Sequence, residues 1–204
     1  ALRPYQEAAR KSIHTEWENG RLRTLLVLPT GTGKTIVFAS VAADQVRAGD
    51  RVLILAHRGE LLEQAADKLQ RSTGLVSAVE KAESTCLDSW YRVVVGSVQT
   101  LQRPARLERF PRDYFGTIII DEAHHSITDG YRRILDYFGS AKVLGVTATP
   151  DRGDMRNLGE VFDSLAYEYK LTDAIKDGYL CRIMAQTLSL IHISEPTRQE
   201  AISY

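Results

Sequence analysis

Residues 24–35 read Thr-Leu-Leu-Val-Leu-Pro-Thr-Gly-Thr-Gly-Lys-Thr. The unbroken apolar run Thr24–Leu28 has the pattern of a strand buried on both faces. The segment after it, Pro29–Thr35, places two glycines in a turn that opens onto a helix-forming stretch. Glycines at 31 and 33 accept positive φ and let a ligand approach the backbone closely. Successive N–H groups of such a loop, together with the positive end of a helix dipole, cradle phosphate oxygens. Lys34 can then reach terminal phosphates, and the Thr35 hydroxyl can ligate Mg²⁺. The first glycine of the usual pattern falls at Leu28, which leaves the Gly-Thr-Gly-Lys-Thr core intact.

Apolar runs of the same kind recur at Arg51–Ala56, Arg92–Gly96, Thr117–Ile120 and Lys142–Thr147. Helical segments are expected between them, at Lys34–Ala48, Gly59–Ser72, Tyr131–Phe138 and Leu171–Asp177. In the second of these Leu61, Ala65 and Leu69 make an i, i+4, i+8 stripe. Strand–helix alternation predicts right-handed crossovers and an α/β fold: a doubly wound, mainly parallel sheet with helices on both faces. Ligands of such sheets sit beyond the carboxyl ends of the strands. The residues just past each strand are therefore decisive.

After Thr117–Ile120 come Asp121, Glu122, Ala123, His124 and His125. Asp121, at the end of a buried strand, is placed to hold Mg²⁺ directly or through water, and Glu122 to orient and deprotonate an attacking water. Two adjacent histidines without a nearby cysteine make a poor zinc site. One of them is expected to hydrogen-bond across to the next strand end. That next end carries Thr147, Ala148, Thr149 and Pro150, with two hydroxyls available for such a bond.

Composition narrows the classes. The chain has 204 residues, 44% of them hydrophobic, and 26 basic against 26 acidic groups. That excludes a disordered chain, and no run approaches the ~18 apolar residues of a membrane span. The charge is even along the chain, so any polyanion contact must be local. Arg103, Arg106, Arg109 and Arg112 recur every third residue, either as a solvated basic face or as a nucleic-acid contact. Cys86 and Cys181 read as free thiols in a reducing, cytoplasmic setting. No signal peptide is visible.

In order, Pro29–Thr35, Asp121–His124 and Thr147–Thr149 resemble motifs I, II and III of superfamily 2 helicases. Leu2–Gln6 resembles their adenine-reading Q motif, Leu55–Gln64 motif Ia, and Val95–Leu101 the next motif along, which contacts nucleic acid. The DEAH-type spelling and Leu171–Ile183 are most similar to relatives grouped with type III restriction-enzyme helicase subunits. The resemblance implies a RecA-like P-loop domain over residues 1–187, using ATP and Mg²⁺ and acting on DNA, with RNA as an alternative. It implies that Gln6 reads adenine with Arg3 packed nearby. Thr30, Gly31, Thr32, Gly33, Lys34 and Thr35 would hold the phosphates. Asp121 and Thr35 would hold the metal, Glu122 would be the base, and His124, Thr147 and Thr149 would couple hydrolysis to nucleic acid. Arg58, Ser97, Gln99 and Thr100 would lie along the sugar–phosphate track.

Leu188–Arg198 reads Leu-Ser-Leu-Ile-His-Ile-Ser-Glu-Pro-Thr-Arg, which looks identical to one reading frame of a common transposase-type sequencing adapter. Residues 188–204 are therefore expected to be translated read-through, and the chain a fragment. A second RecA-like domain, which supplies an arginine finger in such motors, is expected in the parent, with restriction or modification subunits as further partners. The fragment by itself is expected to bind ATP weakly and barely hydrolyse it. A double-strand translocase without strand separation is the alternative function.

Overall fold

The computed structural model describes residues 2–57, 62–74, 77–80 and 92–178. Arg58, the start of the helix expected from Gly59, both cysteines and residues 188–204 lie outside these.

The strands are β1 (Arg23–Val27), β2 (Val52–Ala56), β3 (Ser77–Glu80), β4 (Val93–Ser97), β5 (Thr117–Asp121), β6 (Lys142–Thr147) and β7 (Ser164–Glu168). They form one 7-stranded sheet in the order β3-β4-β2-β5-β6-β1-β7. All of the pairings are parallel. The helices are α1 (Pro4–Glu18), α2 (Lys34–Arg47), α3 (Leu62–Thr73), α4 (Val98–Leu101), α5 (Pro104–Leu107), α6 (Asp129–Tyr137), α7 (Arg152–Leu158) and α8 (Leu171–Lys176). The α/β doubly wound architecture is as expected, and among the described residues the strand pairings are parallel.

Two apolar layers sandwich the sheet, and the strands alternate between them. Leu26, Ile54, Val95, Ile119 and Leu144 face one cluster, with α1, α2 and α3. Leu25, Leu53, Val94, Ile118 and Val143 face the other, with α4, α6 and α7. Adjacent residues point to opposite faces and both faces are covered, which is why these strands read as unbroken apolar runs.

Strands β3 and β7 lie outside the apolar runs of the sequence, as does helix α1. Both strands lie at sheet edges. The β7 sequence Ser-Leu-Ala-Tyr-Glu is only half-buried and carries no continuous apolar run. Helix α1 does carry a signal: Tyr5, Ala9, Ile13 and Trp17 recur every fourth residue, and all are buried. Pro4 stands in the first turn, where its missing N–H costs nothing. The helix is tied to α2 by Arg10, whose Nε donates to Asp44 Oδ2 at 2.6 Å.

Candidate nucleotide site

Register places the functional strand ends on one rim. Val27 pairs with Thr147, Val146 with Asp121, Ile120 with Leu55 and Ala56 with Ser97. The carboxyl ends of β1, β6, β5, β2 and β4 are thus level. The phosphate-loop candidate leaves β1 at this rim and the acidic pair leaves β5, two strands away, or roughly 10 Å by the usual spacing.

The loop has the backbone its glycines predict. Gly31 has φ 86° and Gly33 φ 79°. Helix α2 starts directly after Gly33, so its unpaired N–H groups face the rim. Within the loop, Thr32 Oγ1 donates to Pro29 O at 2.6 Å. Thr30 and Gly31 are exposed, while Gly33, Lys34 and Thr35 are partly buried.

Helix α1 braces the loop from the far side. Gln6 Nε2 donates to Thr32 O at 3.2 Å, and Gln6 Oε1 accepts from the Arg3 N–H at 2.9 Å. Gln6 is buried, and the second Nε2 hydrogen remains for other use. Glycine suits position 33 because of its positive φ, and a Cβ there would come within 2.7 Å of that Nε2, so a side chain would push Gln6 away from Thr32 O. The side chain of Arg3 is exposed. Tyr5, to which the motifs assign no role, also donates its hydroxyl to Thr32 O. The Tyr5 ring stacks on Tyr169 at 4.1 Å and 12°. Its place between Pro4 and Gln6 is the only signal for this role in the sequence.

On the acidic side, Lys34 Nζ donates to Glu122 Oε1 at 2.9 Å. The loop lysine and the proposed base, 88 residues apart in sequence, are therefore in contact. Glu122 has φ 53°, the only positive φ at a non-glycine residue among the described residues. Such a conformation costs about 1–2 kcal/mol. It turns the chain out of β5, and the Glu122 N–H returns to Asp121 Oδ1 at 2.9 Å. The strain falls where function is expected.

Past Glu122, Ala123–His125 form one 3-10 turn. It packs closely on β6 because Gly145 has no side chain: a Cβ there would lie 2.3 Å from Phe162 Cζ and 3.0 Å from Ala123 Cβ. His124 Nδ1 lies 3.2 Å from Thr147 Oγ1 and 3.6 Å from Glu122 Oε2. The expected bond from a histidine to the next strand end is thus formed, and it joins the acidic segment to β6. Thr149 is exposed. His57, at the end of β2, stacks on His125 at 4.2 Å and 12°, a contact with no counterpart in the motifs. Of the residues expected on the sugar–phosphate track, Ser97 and Thr100 are buried and Gln99 is exposed.

Burial pushes the Asp121 carboxyl above its usual pKa; nearby Lys34 opposes that and Glu122 adds to it. The ionised group therefore disfavours folding. The penalty develops as pH rises from the unfolded value through the higher folded one, and it is absent below both. Asp121→Asn is expected to melt at a higher temperature than the parent chain at pH 7 in metal-free buffer. That advantage should vanish as the buffer is taken below the ordinary carboxylate range. An equal or lower melting temperature at pH 7 would show that Lys34 fully compensates the charge. Asp121 and Thr35 bring a carboxylate and a hydroxyl to this rim, an all-oxygen donor set that suits Mg²⁺ rather than a softer metal.

A phosphate loop on β1 and an acidic pair on β5, at one rim of a parallel sheet, define a RecA-like P-loop domain. The family model described as Type III restriction enzyme, res subunit, matches residues 1–152, and the chain belongs to that family. A Saccharomyces cerevisiae protein provisionally named ATP-dependent helicase IRC3 is 36% identical over 194 residues, covering 88% of this chain and 28% of that protein. The Escherichia coli type I restriction enzyme EcoAI endonuclease subunit is 32% identical over 188 residues, covering 87% of this chain and 23% of that one. The crystal structure of the Pyrococcus furiosus Hef helicase domain superposes with a TM-score of 0.66 at 26% identity, over 83% of this chain and 38% of that one. The chain thus spans about a quarter of the length of the two sequence relatives. Among the described residues, no helix is long and apolar enough to cross a membrane.

Proposed function

We propose that the chain is the ATP-binding first motor domain of a nucleic-acid-dependent ATPase, a helicase or translocase acting on DNA. The observation that carries this reading is the contact of Lys34 with Glu122 at the rim where Asp121 also ends its strand. A phosphate loop used only for binding would not need two carboxylates opposite it.

In this reading the loop from Thr30 to Thr35 holds the triphosphate through its N–H groups and the α2 dipole. Gln6, fixed by Thr32 O, reads the adenine edge, with Arg3 beside it. A triphosphate that takes up Lys34 Nζ releases Glu122 Oε1 to accept a proton from water. Mg²⁺, held by Thr35 and Asp121, would neutralise phosphate charge. The His124–Thr147 bond passes a shift of the acidic segment to β6, and Thr149 lies just beyond it. Arg58, Ser97, Gln99 and Thr100 are assigned to the nucleic-acid side. Residues 1–187 make up the domain and 188–204 are adapter-derived. The cytoplasm is the compartment, and a second RecA-like domain with its arginine finger completes the site, with restriction or modification subunits as further partners.

The test uses the parent polypeptide that extends past Thr187. Its ATP turnover is expected to rise on adding DNA, and the 204-residue chain is expected to turn over ATP barely. A parent indifferent to both DNA and RNA would overturn the reading. Stimulation by RNA alone would move the substrate, and translocation without strand displacement would favour the double-strand translocase.

A further inference from the structure

Thr100, Arg103, Arg106 and Arg109 are joined by successive i→i+3 backbone bonds. Arg103 N–H donates to Thr100 O at 3.3 Å, Arg106 N–H to Arg103 O at 3.0 Å and Arg109 N–H to Arg106 O at 3.3 Å. Arg103 has an extended backbone, φ −68° and ψ 124°, at the start of α5, so the four follow a bent path rather than one face of a single helix. The segment is anchored, since Leu101, Leu107 and Phe110 are buried in the core. The four line a pocket of about 170 Å³ together with Ala105. Arg112, the fourth arginine of the repeat, lies over the Tyr137 ring at 4.5 Å.

We propose that Arg103, Arg106 and Arg109 form a binding site for one backbone phosphate of a nucleic-acid strand. The proposal rests on the motor reading and extends it to residues outside the motifs. The pocket is too small for a nucleoside, since drug-sized ligands occupy about 300–1,000 Å³. It holds the volume of roughly six waters, which suits a single tetrahedral anion with part of its hydration. Guanidinium forks match phosphate geometry and stay charged at any working pH. In a chain with no net charge, a local group of arginines is what can attract a polyanion at all.

The position separates this site from the nucleotide. Helix α4 leaves the carboxyl end of β4, on the rim that also carries the phosphate loop. Four strand spacings separate β4 from β1 in the sheet order, or roughly 19 Å. A contact here positions a strand without reading bases.

Fluorescence anisotropy of the 204-residue chain with labelled duplex and single-stranded oligonucleotides, over a salt series, tests this. Arg103→Ala/Arg109→Ala is expected to reduce the slope of log affinity against log salt by about 0.9 on duplex and about 0.7 on single strand, the loss of one phosphate contact. Every sequence should weaken alike. Arg103→Lys/Arg109→Lys is expected to restore the slope, and binding of a fluorescent ATP analogue should be untouched in both variants. An unchanged slope in the alanine variant, or no oligonucleotide binding beside normal nucleotide binding, overturns the pocket and leaves the motor reading standing. A chain that binds neither oligonucleotide nor nucleotide overturns both. Polyglutamate bound as tightly, and lost in the same variant, would make the ligand an acidic polypeptide and overturn the proposal. Inorganic phosphate that displaces the duplex at equal phosphate concentration would assign the pocket to the free anion and overturn it too.

Discussion

Glu122→Gln in the parent polypeptide is expected to lower nucleic-acid-stimulated ATP turnover by about 10²–10⁴-fold, the usual weight of a general base. Nucleotide binding should survive. A glutamine carbonyl still accepts the hydrogen bond that Lys34 Nζ makes to Glu122 Oε1 at 2.9 Å, so the loop and the acidic segment keep their spacing. The amide is the same size as the carboxylate, so the positive φ at residue 122 and the packing of Ala123 over Gly145 are not disturbed. What disappears is the capacity to take a proton. Steady-state turnover measured beside binding of a fluorescent ATP analogue separates the two effects. Unchanged turnover would remove Glu122 from the role. Loss of both turnover and binding would mean that its charge serves to position Lys34 instead.

Trp17→Ala is expected to cost about 3–5 kcal/mol of folding stability, as large-to-small changes at buried aromatic positions do. For a domain with roughly 5–15 kcal/mol in hand, that is a large share. Trp17 closes the buried stripe of α1, and its Nε1 donates to Val143 O of β6 at 3.3 Å. The alanine variant loses the packing and that bond together. Urea unfolding should show a lower midpoint with an unchanged slope. The same helix carries Tyr5 and Gln6, both bonded to Thr32 O, so loosening α1 should also weaken nucleotide binding. A loss below about 1 kcal/mol would mean that α1 is peripheral to the core, contrary to the burial of its apolar stripe.

How legible each element is in the sequence depends on how much of it is buried. The central strands announce themselves because both of their faces are covered, as at Ile118, Ile119 and Ile120. Edge strands have only part of that burial, so the β7 sequence is silent. The phosphate loop and the acidic pair are readable because their chemistry depends on residue type within a few neighbouring positions. The role of Tyr5 is not, because its partners are the carbonyl of Thr32 and the ring of Tyr169. Both lie far away in sequence, and only packing brings them near.

From its residues the chain specified a strand-turn-helix able to cradle phosphate, a carboxylate pair after a buried strand, and the α/β alternation that carries both. These depend on local backbone preferences and on side-chain patterns with periods of a few residues. The union of Lys34 with Glu122, the bracing of Thr32 by α1, and the separation of Arg112 from the other three arginines were decided only when the sheet assembled. Strand order and register set those distances. They result from summed burial across the whole domain, a quantity that no short stretch of sequence contains.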